Sequence, residues 1–137
     1  MNIRRLGPGD EHVVERLATR ESPARAGELL GDDRTIFLVA FDGDEPIGFV
    51  LAYELLRRHG DPSKLFLYEV EVAEPYRRRG LAAAMLQELD GLARTRGIRA
   101  GWVLADRENE PAMRLYRAAG GVRPHEETMW EFEYEER

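Results

Sequence analysis

Hydrophobic and polar positions along the chain follow two periods, one typical of strands and one typical of helices. Apolar runs of strand length lie at residues 3–6, 35–41, 47–56, 65–73 and 98–105. A hairpin turn at residues 42–45 joins the second and third runs, and Gly48 marks a place for a bulge or a close backbone approach. The last apolar run, residues 128–135, alternates aromatic with mainly acidic side chains, which predicts a final amphipathic strand.

Apolar residues at helical spacing predict four helices among these strands. Asp10 is placed to cap the first helix, while Ser22 and Pro23 are placed to begin the second, which Gly31 ends. The third helix follows Gly80, and its apolar face consists of Ala82, Met85, Leu86, Leu89, Leu92 and Ala93. The apolar positions of the fourth helix are Ala112, Leu115, Tyr116 and Ala119. This order predicts an α/β (α+β) fold with a mixed, mostly antiparallel sheet and at least one parallel strand–helix–strand crossover.

Length and composition indicate one folded domain over residues 1–137, with 43% hydrophobic and 34% charged residues. The absence of cysteine excludes disulfides and thiolate nucleophiles, and the three histidines lack metal-ligand spacing, so we expect no metal. Without an apolar signal region or a run of ~20 apolar residues, we expect a cytoplasmic protein that does not enter a membrane. The net charge of -6 argues against nucleic-acid binding.

A basic glycine turn joins the fourth strand to the third helix. A helix start exposes unpaired N–H groups and a partial positive charge, and the small residues Gly80 and Ala82 let a diphosphate approach the backbone. The arginines at positions 77–79 add charge-assisted hydrogen bonds to phosphate oxygens. The same residues also suit a solvated surface run before an ordinary turn glycine, and this short motif alone does not decide between the two interpretations.

A second motif downstream gives the turn a context. The pattern Arg77-x-x-Gly80-x-Ala82, followed by Asn109-x-x-Ala112-x-x-x-Tyr116 and Gly120, resembles the Gcn5-related N-acetyltransferase (GNAT) family. The resemblance covers nearly the whole chain, because the preceding helices, the hairpin strands and the final strand also follow the family's order. It implies the GNAT fold, with helices on both faces of the sheet, and acetyl-CoA as co-substrate.

The resemblance also implies roles for particular residues. The backbone amides of the turn hold the coenzyme A pyrophosphate, the strand around Val70 pairs with the pantetheine arm, and Asn109 binds that arm. Tyr116 places its hydroxyl near the thioester sulfur, where a proton donor assists the leaving thiolate. The implied coenzyme A-binding residues are Val70, Val72, Arg77, Arg78, Arg79, Gly80, Leu81, Ala82, Asn109, Ala112 and Tyr116.

Two of these residues have ordinary structural interpretations as well. Tyr116 occupies a core-facing helical position, where an aromatic residue is more often packed than catalytic. Asn109 lies just before a proline-containing helix start and suits a cap. The functional roles are therefore favoured by the resemblance and not by periodicity. Gly121 departs from the family pattern, in which an aromatic residue is common, and this change loosens the packing after the helix.

Glu69 and Glu71 alternate onto one face of the fourth strand. An ammonium cannot attack a thioester, so the acceptor amine needs a base, and either carboxylate could attract the cation and take its proton directly or through water. The alternative is that both are solvent-facing strand residues. Because the chain has no cysteine to carry an acyl group, we expect direct attack of the amine on the thioester.

A closer resemblance, to the aminoglycoside 3-N-acetyltransferases of this superfamily, narrows the acceptor. It rests on Glu28-Leu29-Leu30, Thr35-Ile36-Phe37, Ala40-Phe41-Asp42, Ala52-Tyr53, Leu67-Tyr68-Glu69-Val70, Arg77-Arg78-Arg79-Gly80-Leu81-Ala82 and the acidic Glu126-Glu127-Thr128-Met129. It implies a polycationic acceptor bound by Glu69, Glu71, Glu126 and Glu127. The family's strand aspartate is replaced by the longer Glu69, and the N-terminal region is shorter than in those enzymes.

These observations predict an acetyl-CoA-dependent N-acetyltransferase that acts on a cationic small-molecule amine, namely an aminoglycoside 3-amino group. A polyamine, another small amine or a protein amine would suit the same acidic cleft. A coenzyme A-binding sensor without turnover is the competing non-enzymatic hypothesis. The alternating final strand, exposed at a sheet edge, predicts a homodimer, with Trp102 and Trp130 as core or interface residues.

Overall fold

The computed structural model describes residues 1–18, 25–124 and 128–134. Its strands are β1 (Asn2–Arg5), β2 (Thr35–Asp42), β3 (Glu45–Leu55), β4 (Lys64–Val72) and β5 (Ala100–Val103). Its helices are α1 (Glu11–Leu17), α2 (Ala26–Gly31), α3 (Leu81–Thr95) and α4 (Glu110–Ala118), and a 3-10 turn covers Glu74–Tyr76. No helix in these described stretches combines the length and the apolar character needed to cross a bilayer.

The five strands form one sheet in the order β1-β2-β3-β4-β5. The first three pairings are antiparallel, and β5 pairs with β4 in parallel after the crossover through α3. The predicted mixed sheet with one parallel crossover is therefore confirmed. Antiparallel neighbours need only short turns, whereas the parallel pair requires a helix-length connection, which α3 provides.

The core lies on both faces of β2 and β3. Alternate residues of β2 point to opposite sides: Phe37 and Val39 pack toward α1 and α2, while Ile36 and Leu38 pack toward α3. Both faces are covered, so these strands are nearly continuous apolar runs. Helix α3 contributes Leu81, Met85 and Leu89 to its side of the core. Helices thus cover both faces of the sheet.

Gly48 lies where β3 crosses under α3, and here the predicted close approach is confirmed. A Cβ atom at this position would lie 3.0 Å from the Glu71 carbonyl oxygen and 3.2 Å from the Met85 methyl carbon. The pairing of β2 with β3 also shifts register between Ala40 and Phe41, beside Gly48. A larger residue would push α3 away from the sheet.

The C-terminal end of α3 is fixed by charge. The Arg96 Nε donates to the Glu54 carboxylate at 2.7 Å, and its Nη2 donates to the Asp33 carboxylate at 3.0 Å. Glu54 belongs to β3 and Asp33 to the turn before β2, so one guanidinium ties the helix to two neighbouring elements. Partial burial of the Arg96 and Glu54 side chains limits solvent screening of this pair.

Two predictions about helix starts and strands hold only in part. Asp10 occupies the N-cap position of α1 as predicted, but its side chain does not cap the helix, because its carboxylate accepts hydrogen bonds from the Gly7 amide at 2.9 Å and from Arg4 at 3.0 Å. These bonds lower the pKa of Asp10 despite partial desolvation, which acts in the opposite direction. Strand β5 is also shorter than residues 98–105, since Ile98 is buried in the turn after α3 and pairs with no strand.

The final strand predicted at residues 128–135 was also wrong for its described part. Residues 128–134 form no strand, and Trp130, Phe132 and Tyr134 are 79%, 73% and 93% exposed. Alternation makes a segment suitable for pairing, but a strand forms only where a partner edge is present. Trp102, at 43% exposure, is not a core residue either. Ser22 and Pro23, expected to begin α2, lie outside the described residues, as does residue 135.

Candidate functional site

Strands β4 and β5 pair along only half of β4. The pairing joins Lys64–Leu67 of β4 to Ala100–Val103 of β5, whereas β4 continues to Val72. Among the described residues, the later half of β4 thus has a neighbour on the β3 side and a gap on the β5 side. A gap between parallel strands exposes backbone donors and acceptors that an extended ligand can use.

A hydrogen bond just after β4 shows toward which side the backbone amides of this strand point. The Ala73 amide donates to the Ile47 carbonyl of β3 at 2.8 Å, so alternation turns the amides of Val70 and Val72 toward the gap. At the end of the gap, the Arg77 Nε donates to the Val72 carbonyl at 2.9 Å. Arg77 thereby joins the strand to the turn that follows it.

The turn before α3 exposes a row of backbone amides. Arg78 and Gly80 adopt left-handed conformations, with φ of 66° and 76°, and no side chain caps the helix. The first helical hydrogen bond runs from the Ala84 amide to the Gly80 carbonyl, so the amides before it face outward. Leu81 is buried and anchors the helix start. The turn can hold an anion through N–H groups and the helix dipole.

Side-chain contacts also hold the turn before α3 in place. The Tyr76 hydroxyl donates to the Asp42 carboxylate at 2.7 Å, and this bond raises the pKa of Tyr76. The Arg79 guanidinium lies over the Tyr76 ring, 5.5 Å from its centroid. All three arginines are exposed, as a solvated surface run would be, and two of them, Arg77 and Arg79, are in addition oriented by specific partners.

Helix α4 carries the second motif. The Asn109 Oδ1 accepts a hydrogen bond from the Ala112 amide at 3.1 Å, so the predicted cap is confirmed. Tyr116 is half-buried and packs against the α3 side of the core, which also receives Val70 and Val72. Burial raises the pKa of Tyr116, because the phenolate would lose solvation. The phenol therefore stays protonated through the neutral range.

Glu69 and Glu71 lie on the other face of β4. They stand opposite Leu51 and Phe49, whose side chains belong to the core beneath α1 and α2. Directly opposed residues of an antiparallel pair point to the same side of the sheet. Both glutamates are exposed, so this face of the later half of β4 is acidic and open.

Four aromatic rings from β3, β4 and β5 contact one another in sequence. The register of β3 and β4 shifts so that Tyr68 is an extra residue between the pairs formed by Leu67 and Glu69. The Tyr68 ring meets Tyr53 and Phe66 edge to face, each at 5.8 Å, and Phe66 stacks on Trp102 at 5.2 Å. We call Tyr53, Phe66, Tyr68 and Trp102 the aromatic cluster.

The aromatic cluster and the acidic face are neighbours. Desolvation raises the pKa of Tyr53, and the nearby Tyr68 and Glu69 add smaller shifts in the same direction. Tyr68 and Trp102 remain 56% and 43% exposed. Sequence reasoning missed this cluster as a site feature, although Phe66 precedes Glu69 on the same strand. The missing signal was the bulge at Tyr68, which changes the alternation.

Glu126 and Glu127, expected to bind the acceptor, lie outside the described residues. Within the described ranges, no group of three or more His, Asp or Glu side chains is arranged to hold a metal ion. The geometry therefore consists of a strand gap with an amide-rich turn on one side and an acidic, aromatic surface on the other.

Comparison with known proteins agrees with this arrangement. Residues 8–120 match the acetyltransferase (GNAT) family model. The chain belongs to the GNAT acetyltransferase family. Members of this family use acetyl-CoA, and the exposed strand edge and uncapped amide turn fit such a co-substrate. A search of curated proteins finds no match.

Solved structures of similar fold include several aminoglycoside acetyltransferases. One, from an uncultured soil metagenomic sample, is 30% identical, with 97% of this chain and 96% of that chain covered and a TM-score of 0.82. A second soil metagenomic enzyme, in complex with sisomicin, is 16% identical, with 98% and 96% covered and a TM-score of 0.84. AAC(6')-Iy, in complex with a bisubstrate analogue, is 18% identical, with 97% and 98% covered and a TM-score of 0.79. The last two show the fold alone.

Proposed function

We propose that this GNAT acetyltransferase transfers the acetyl group of acetyl-CoA to an amine of an aminoglycoside. The observation that carries the proposal is the acidic face of β4 beside the aromatic cluster, next to the strand gap. Glu69 and Glu71 attract a polycation, and the rings of Tyr68 and Trp102 offer surfaces on which a cationic ring can lie.

The donor side of the proposal uses the gap. In the proposed complex, the amides of residues 78–82 bind the coenzyme A pyrophosphate, with Arg77 beside them. Val70 and Val72 pair with the pantetheine arm, and Asn109 and Ala112 contact that arm from the start of α4. Support comes from the outward amides and from the absence of a side-chain cap at Gly80.

The chemistry follows from the two faces of β4. Glu69 or Glu71, directly or through water, takes a proton from the acceptor ammonium, and the neutral amine attacks the thioester carbon. The carbon–sulfur bond breaks as the new amide bond forms, and the attacking nitrogen releases its second proton to water. Tyr116, whose phenol is protonated at neutral pH, donates a proton to the leaving sulfur and regains one from solvent.

The aromatic cluster favours a ring-bearing amine over a linear polyamine. Carboxylates alone would attract either, but exposed aromatic rings add contact area for a cyclic sugar or aminocyclitol. Within that class, we assign the 3-amino group on the resemblance of the motifs quoted above. Acetylation at the 6' position is the competing regiochemistry, since AAC(6')-Iy shares the fold.

Thiol release from acetyl-CoA tests the proposal across aminoglycosides, linear polyamines and lysine peptides. The expected result is fastest turnover with an aminoglycoside, blocked when its 3-amino group is already acetylated. Turnover blocked instead by prior 6'-acetylation would assign the transfer to the 6'-amino group. Preference for spermidine-like amines or lysine peptides would overturn the aminoglycoside assignment. Acetyl-CoA binding without turnover on any amine would favour the sensor.

The assignment of the base is tested separately with Glu69→Gln and Glu71→Gln. In at least one of the two variants, the pH profile of kcat/KM should lose its acidic limb, or kcat/KM should fall by about 10²-fold. Unchanged profiles in both variants would remove the two carboxylates from the mechanism.

A further inference from the structure

The β2–β3 hairpin reaches the turn before α3 through a side-chain hydrogen bond. Asp42 is the last residue of β2, and Tyr76 is the last residue of the 3-10 turn, 34 positions later in the sequence. The Tyr76 hydroxyl donates to the Asp42 carboxylate at 2.7 Å, and the Tyr76 ring packs against the α3 side of the core. Neither side chain has a role in the acetyl transfer proposed above.

The hairpin that carries Asp42 is itself held by other contacts. From α1, the Arg16 Nη2 donates to the Glu45 carboxylate at 2.9 Å, and its Nη1 donates to the Asp44 carbonyl at 3.2 Å. The hairpin is therefore tied to α1 on one side and to the turn before α3 on the other. Asp42 offers the Tyr76 hydroxyl an acceptor whose place is fixed.

The turn that receives this support has a strained backbone. Arg78 has a φ of 66°, a left-handed conformation that costs energy in a residue with a Cβ atom. The Tyr76 amide donates to the Ala73 carbonyl at 2.9 Å, which closes the 3-10 turn just before this strained residue. A strained backbone persists only where its surroundings fix it. The Tyr76 side chain is an anchor on the N-terminal side of the turn.

Tyr76 also holds a cation. The Arg79 guanidinium lies over the Tyr76 ring, 5.5 Å from its centroid, which is within the range of a cation–π interaction. A carboxylate that accepts the phenolic hydrogen makes the ring more electron-rich, so Asp42 strengthens this attraction. Arg79 is otherwise exposed. An exposed arginine that is already held in place loses less conformational freedom when it binds a phosphate.

We propose that Tyr76 and Asp42 are positioning residues of the coenzyme A site, whose hydrogen bond holds the turn before α3 and the Arg79 guanidinium in the arrangement that receives the phosphates. The inference rests on the proposed function in that the turn binds coenzyme A, and it applies to any acceptor amine. Because the bond acts on the donor site, its loss should weaken coenzyme A binding and leave the chemical step unchanged.

A double-mutant cycle, measured by calorimetry with coenzyme A, tests the pair. Tyr76→Phe keeps the ring and removes the hydroxyl, Asp42→Ala removes the acceptor, and each should raise the dissociation constant about fivefold. The double variant should bind no more weakly than either single variant, because all three lose the same bond. Asp42→Asn keeps an oxygen acceptor and should retain most of the affinity. Wild-type affinity in Tyr76→Phe, or additive losses in the double variant, would overturn the proposal.

Asp44→Ala is the matched control for Asp42→Ala. It removes the same charge from the same hairpin, at an exposed residue whose backbone carbonyl, and not its side chain, accepts the hydrogen bond from Arg16. Its affinity for coenzyme A should equal that of the wild type. Equal weakening in both alanine variants would trace the effect to lost charge and would contradict the proposal.

Steady-state kinetics distinguish positioning from a merely structural role, with the amine that turns over fastest in the thiol-release assay. Tyr76→Phe should raise KM for acetyl-CoA about fivefold, while kcat and KM for the amine stay within about twofold of wild type. Equal rises in both KM values would indicate a general loosening of the fold and would contradict the proposal. A wild-type chain that does not bind coenzyme A would overturn the proposed function together with this inference, whereas wild-type binding that Tyr76→Phe leaves unchanged would overturn this inference alone.

Discussion

The two halves of the molecule differ in how far their side chains are buried. In β2 and β3, side chains such as Ile36, Val39 and Val50 are fully buried, with core on both faces. In β5 and α4, no residue is buried, and the later half of β4 has a strand on one side only in the part of the chain that the structure describes. The first half stabilises the fold, and the second half keeps its backbone and rings available for ligands or a partner.

The largest expected effect separates these halves by stability. Leu38→Ala removes a 2% exposed side chain from the α3 side of the core and should lower the free energy of unfolding by about 3 kcal/mol. Leu104→Ala makes the same change at a 54% exposed position and should alter it by less than about 0.5 kcal/mol. Urea denaturation measures both. Equal losses would contradict the comparison.

Catalysis should depend on a residue of the open half. Tyr116→Phe removes the proposed proton donor while keeping the packed ring, so kcat should fall about 10²-fold with little change in KM for acetyl-CoA. Tyr134→Phe, on a 93% exposed ring, is the matched control and should keep wild-type kcat. A wild-type kcat in Tyr116→Phe would exclude the hydroxyl from proton transfer.

The amide turn is tested by a pair of glycines. Gly80 and Gly43 both have positive φ, and an added Cβ meets nothing within 4 Å at either position. Alanine therefore brings similar backbone strain to both. Gly80→Ala should weaken coenzyme A binding about tenfold, measured by calorimetry, because strain relief moves the amides of the turn. Equal losses of affinity in Gly43→Ala would show a general effect of strain.

The smallest effect concerns the N-terminal turn. Hydrogen bonds lower the folded-state pKa of Asp10, so its contribution to stability is present above the ordinary pKa of an aspartate and is lost as pH falls through the folded value. Asp10→Asn should be less stable by under about 1 kcal/mol at pH 7, and the difference should shrink below about pH 4. Urea midpoints across pH measure this. A difference independent of pH would contradict it.

Much of the buried half could be predicted because its signals are local. Continuous apolar runs gave β2 and β3, and helical spacing after Gly80 gave α3 with Met85 and Leu89 inward. The amide turn was also predictable, since a glycine at positive φ and a helix start are adjacent in sequence. These features depend on residues within a few positions of one another.

The remaining features of the fold and of the site depend on specific contacts, which the alternation of apolar and polar residues does not encode. The bulge at Tyr68 interrupts the alternation of side chains along β4. It brings Phe66 and Tyr68 of β4 together with Trp102 of β5. Residues 128–134 have a strand pattern without a strand, because pairing needs an edge supplied from elsewhere. Asp10 bonds to the turn before α1 instead of to the helix, a choice between two nearby sets of donors.

The central claim is that the later half of β4 and the turn before α3 together bind coenzyme A. Amide hydrogen exchange, followed by NMR with and without coenzyme A, tests it most directly. The account predicts slowed exchange at the amides of Val70 and Val72 and at residues 78–82, with β1 unchanged. Saturating coenzyme A that leaves these amides unaffected, or protects a different surface, would contradict it.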